Sequence, residues 1–83
     1  MDGVLELVGH TPRGAGIPVQ CRPASDRSCM RLSCDRPLPE SAAVNLAYVD
    51  EAGTRRITRG WIGAVRKDGS VGWSAVMVLD RAA

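Results

Sequence analysis

Residues 54–79, T-R-R-I-T-R-G-W-I-G-A-V-R-K-D-G-S-V-G-W-S-A-V-M-V-L, constrain the fold of this chain more than any other stretch. Two apolar runs, 57–65 and 71–79, flank Lys67-Asp68-Gly69-Ser70. Asp-Gly between β-type runs predicts a hairpin closed by a type I′ turn, because that turn needs positive φ at both central residues. Gly60 and Gly63 predict a bulge or a close approach where the first strand bends. The second strand is apolar on both faces, with Val71, Trp73, Ala75, Met77 and Leu79 set against Val76 and Val78. A strand dry on both sides is central in its sheet or covered by a neighbour outside the barrel, and Trp73 is expected in the core.

Upstream, the same period of two recurs in shorter runs. Residues 4–8 (V-L-E-L-V) read as a strand or extended arm, and Gly9 ends it. Residues 10–16 hold Pro12, Gly14 and Gly16 and read as a loop. In 17–21, Ile17, Val19 and Cys21 share one face and Pro18 and Gln20 the other, with Pro18 marking an edge or a strand start. Residues 24–28 are a polar turn. Met30, Leu32 and Cys34 then alternate with Cys29, Arg31 and Ser33. The two prolines of 35–41 exclude a helix interior, and Leu38 is the residue that would pin this loop. In 42–49, Val44, Leu46 and Tyr48 alternate with Asn45 and Ala47, which favours a strand, although the alanines would tolerate a helix. Asp50-Glu51-Ala52-Gly53 is a turn into the long hairpin. The fold class expected is all-β: one small antiparallel barrel of five to six strands, a single domain over residues 1–83.

Composition narrows the function classes. No apolar run approaches the roughly 18 to 20 residues of a membrane span, and the first residues carry two acids where a secretory leader needs an apolar stretch. A cytoplasmic protein is expected. The net charge of +2 does not demand a nucleic-acid partner. Arg supplies ten of the eleven cations, and its planar fork suits phosphate, carboxylate and flat rings. Cys21, Cys29 and Cys34 form no C-x-x-C knuckle, so buried thiols are expected rather than zinc or a disulfide framework. His10 is the sole imidazole and has no nucleophile or orienting acid beside it. With no paired carboxylates either, the expectation is a non-enzymatic protein without a cofactor.

Three stretches resemble the PilZ domain, the small β-barrel receptor for cyclic di-GMP. Asp26-Arg27-Ser28-Cys29-Met30-Arg31-Leu32 is similar to the family's D-x-S-x-x-G motif running into a strand, with Arg31 at the place of the glycine. Arg36-Pro37-Leu38-Pro39-Glu40 followed by Val44-Asn45-Leu46 is similar to its turn-then-strand step. Gly60 to Val65 and Val71 to Val76 are similar to its last two strands. The family's R-x-x-x-R motif is missing before Asp26, where only Arg13 and Arg22 occur, so the resemblance is to a degenerate member. It implies a bacterial signalling module, either a cyclic di-GMP receptor or a protein-binding adaptor. In the receptor version Arg13 and Arg22 would clamp phosphate, Asp26 and Ser28 would read guanine, and Arg31 would lie beside them.

Plainer readings stand beside these. Asp and Ser between strands are ordinary turn residues. Arg55, Arg56, Arg59 and Trp61 form a basic–aromatic cluster that suits single-stranded nucleic acid on an OB- or SH3-like barrel, or a solvated strand end next to a core Trp. A third reading is an assembly module that pairs through an open sheet edge.

Overall fold

Apolar residues at every second position place their side chains on one face of a strand, and here every such run closes against the others. The protein, described over residues 1–9, 16–25 and 28–80 in a computed structural model, has six strands. They are β1 (Asp2–Leu7), β2 (Ile17–Pro23), β3 (Cys29–Cys34), β4 (Ala43–Val49), β5 (Arg55–Asp68) and β6 (Gly72–Leu79). All pair antiparallel, in the order β1-β2-β3-β6-β5-β4, and β4 returns to β1 to close a barrel. The small all-β barrel expected from the sequence is the fold observed, and residues 43–49 are strand rather than helix. No helix among the described residues is long and apolar enough to cross a membrane.

The barrel interior is filled by Leu5, Val19, Cys21, Met30, Leu32, Val44, Leu46, Ile62, Ala75 and Met77, all buried. Register explains the set. Met30 pairs with Met77, Leu32 with Ala75, and Leu5 with Leu46, so neighbouring strands set these residues side by side on the inner face. Leu38 drops from the loop between β3 and β4 into this core, at 4% exposure. That loop is tied to β5, where Ser41 donates to the Ile62 carbonyl at 2.7 Å and Ile62 donates to that of Ala42 at 3.0 Å. Closure pairs the described strands around the barrel and leaves no long open edge among the described residues, the feature on which the assembly-module reading relied. Pro18 sits where β2 has only β1 beside it, since pairing with β3 begins at Gln20.

The hairpin of β5 and β6 departs from its reading in three ways. Asp68 pairs with Gly72, so the connection is the three-residue loop 69–71. Within it Gly69 has φ of 74°, and Asp68 is not in the left-handed region, so the turn is not type I′. Neither tryptophan is in the core, where the sequence reading puts Trp73 and where one of the two readings of the Arg55–Trp61 cluster puts Trp61. Trp73 is half-buried at the end of the barrel beside Cys34 and Lys67, and Trp61 is 46% exposed on the outer wall.

The third departure is a change of facing along β5, made by a bulge. Gly63 pairs with Val76, but Arg66 pairs with Ser74, so β5 carries one extra residue. Ala64 absorbs it with φ of 50°. The insertion reverses the facing of everything after it. Val65, which uninterrupted alternation would put on the face of Ile57 and Trp61, packs half-buried against the core instead. The two glycines before the bulge have separate roles. Gly60 is needed for close approach, because a Cβ there would lie 2.0 Å from the Val78 carbonyl oxygen. Gly63 has room for a side chain, its nearest atom being 3.8 Å away.

Candidate functional site

The outer wall over β2, β3, β6 and the far half of β5 holds a groove of about 770 Å³. Its cationic lining is Arg22, Arg31 and Arg66, with Gln20, Ser33 and Ser74 as neutral polar groups. Two cross-strand rows build it. One runs Arg22, Arg31, Val76, Gly63, and the other runs Gln20, Ser33, Ser74, Arg66. Arg22 and Arg31 are therefore direct partners across a non-covalent ladder, with Cβ atoms about 5 Å apart.

Arg66 reaches this wall only through the bulge. Without the extra residue at Ala64, residue 66 would keep the facing of Ile62 and point inward. Across two strands and two residues, its backbone lies about 12 Å from that of Arg31. Asp68 follows on the same face and is the one carboxylate among the lining residues. The two ion pairs among the described residues are elsewhere, at Arg36–Asp35 and Arg56–Asp50. Among the described residues, the three groove arginines are thus exposed forks on one wall that form no ion pair.

Of the residues the sequence marks for ligand binding, Arg22 and Arg31 are brought together. Arg13 and Asp26 lie outside the described residues, as does His10. Ser28 precedes β3 on the opposite parity from Arg31, and its carbonyl accepts from Leu79 N at 2.9 Å. It belongs to the barrel end rather than to the groove. Arg66 escapes sequence reasoning in this role. Counting alternate positions along 57–65 assigns it the wrong face, and the only hint is the Gly60/Gly63 pair.

The basic–aromatic cluster divides. Arg55, Arg59 and Trp61 share the outer wall, opposite Val49, Asn45 and Ala43 respectively. Arg56 has the other parity, and its Nε donates to Asp50 Oδ2 at 2.8 Å. Asp50 also accepts from Ala52 N at 3.0 Å and Thr54 N at 2.9 Å, which fixes the β4–β5 turn. The Arg56 hydrogen bond, and then the one from Thr54, hold the Asp50 carboxyl below the ordinary carboxylate range.

The thiols are free: Cys21 is buried, and Cys29 and Cys34 are half-buried. Burial pushes the Cys21 thiol up. No group of three or more His, Cys, Asp or Glu among the described residues could hold a metal ion. Comparison with family models, curated proteins and solved structures finds no match to this chain.

Proposed function

We propose that the protein is a non-enzymatic, PilZ-like signalling module that binds a phosphate-bearing nucleotide in the outer groove, with cyclic di-GMP as the ligand to test first. The observation that carries this reading is the direct pairing of Arg22 with Arg31 beside the re-aimed Arg66. Like charges directly opposite each other destabilise a sheet. Two guanidiniums facing one another without an acid are relieved by an anion between them, and planar forks hold phosphate by paired hydrogen bonds. Arg66, whose backbone lies about 12 Å from that of Arg31, offers a separate cation to a second anionic group, which favours a ligand with two phosphoryl groups over a single ion. Ser33, Ser74 and Gln20 supply donors and acceptors between the charges, and Val76 supplies an apolar contact.

Calorimetry decides the ligand. Heat on titrating cyclic di-GMP into folded protein, lost on Arg31→Ala and reduced on Arg66→Ala, is the expected result. No heat at high micromolar ligand removes the receptor version. The adaptor version then takes over, with the groove engaging an acidic or phosphorylated partner segment.

A further inference from the structure

On the side of the barrel away from the groove, the outer wall of β1, β4 and β5 forms a regular grid. Its middle row is Val4, Ala47 and Ile57, in direct cross-strand register. One neighbouring row is Glu6, Asn45 and Arg59. On the other side, continuing the same register, Asp2 precedes Val49 and Arg55. The face therefore has an acidic column on β1 (Asp2, Glu6), a basic column on β5 (Arg55, Arg59) and an apolar bar between them. The bar is open to solvent, with Val4 43% and Ile57 79% exposed, and Val49 beside it is 46% exposed. Glu6, Arg55 and Arg59 form no ion pair among the described residues. Asp2 accepts a hydrogen bond from Gln20.

We infer that this wall docks against a second copy of the same chain, about a two-fold axis running along β4. Rotation about that axis lays β1 of each copy over β5 of the other. Val4 then meets Ile57 of the second copy, and Ala47 meets its own equivalent. Asp2 faces Arg55 of the second copy, and Glu6 faces its Arg59. Each contact occurs twice, as a self-complementary interface requires. The strands of the two walls run roughly aligned, which is how sheets pack face to face at about 10 Å. The charge pattern selects this axis over the one at right angles to the strands, which would set Asp2 against Glu6 and Arg55 against Arg59. The same pattern disfavours nucleic acid on this wall, since a polyanion crossing from Arg55 and Arg59 would run into Asp2 and Glu6. Small residues at the centre, Ala47 and Asn45, let the two convex walls approach.

Sedimentation equilibrium of the full chain, at about 0.05 M and about 0.5 M salt, tests the inference. Wild type should self-associate to a dimer, more weakly in the higher salt. Glu6→Arg or Arg59→Glu alone should weaken the dimer about tenfold or more, because each sets like charges face to face. The double reversal, Glu6→Arg with Arg59→Glu, should restore association, since it exchanges the columns at that row. Ile57→Asp should give a monomer with an unchanged far-ultraviolet spectrum. A monomer at every concentration in low salt overturns the inference, as does a dimer indifferent to both single reversals. Failure of the double reversal to restore a dimer, with the variant folded, also overturns this pairing. Salt-dependent binding of an oligonucleotide by a monomeric wild type, lost on Arg59→Glu, would give the wall to a polyanion instead.

Discussion

Arg22 on β2 and Arg31 on β3 stand directly opposite each other on the outer wall. The pairing sets two like charges side by side, an arrangement that costs a sheet stability. Arg31→Ala should leave stability unchanged or raise it by up to about 1 kcal/mol in dilute buffer, since a like-charged cross-strand pair is removed. Sulfate or pyrophosphate should raise the melting temperature of wild type and not of the variant. A variant that melts well below wild type in dilute buffer would show that the pair is not repulsive.

The bulge at Ala64 aims the third arginine. Ala64 holds φ of 50°, in a region that Gly enters freely and β-branched residues avoid. Ala64→Gly should be neutral or stabilising by about 1 kcal/mol. Ala64→Val should destabilise by about 1–2 kcal/mol and weaken nucleotide binding alongside Arg66→Ala. Equal stabilities for the Gly and Val variants in urea would contradict the assigned backbone.

Gly60 is where β5 presses onto β6. Gly60→Ala places a methyl group 2.0 Å from the Val78 carbonyl oxygen, so backbone has to move. The expected cost is about 3 kcal/mol, read as a lower urea midpoint. Gly63→Ala is the control, with its nearest atom at 3.8 Å. It should cost much less, and a similar loss at both positions would refute the close approach.

Asp50 ties the β4–β5 turn to Arg56, and its carboxyl is held low in the folded state. A lowered folded value means the unfolded chain takes up protons first as pH falls. The stabilisation is therefore complete above the ordinary carboxylate pKa of about 4 and is lost as pH drops through the lower folded value. Asp50→Asn should melt below wild type at neutral pH, with the gap narrowing in strong acid. A gap independent of pH would assign the effect to the turn hydrogen bonds alone.

Much of the barrel is legible in the order of its residues. Val19 and Cys21, Met30 and Leu32, and Val44 and Leu46 face inward as their spacing requires, because strand periodicity is a local property of the backbone. Leu38 stands out as the apolar residue in a proline-bearing loop, and it fills the core. The tryptophans mislead for a reason that is equally physical. A large ring in an apolar run suggests burial, but whether it enters the interior depends on which side of a closed sheet its parity falls and on how near the barrel end it lies.

By itself, then, the amino-acid sequence determined the strands, most of their turns and the residues of the core, since these follow from alternation, glycine, proline and side-chain polarity within a few positions. Only the tertiary structure decided which charges meet. Arg22 and Arg31 come from separate strands, and their pairing is a matter of register. Arg66 joins them because one extra residue at Ala64 turns the strand over. The acidic and basic columns of the opposite wall exist only once β4 has closed between β1 and β5. Cross-strand neighbours are set by chain closure, and no local pattern encodes them.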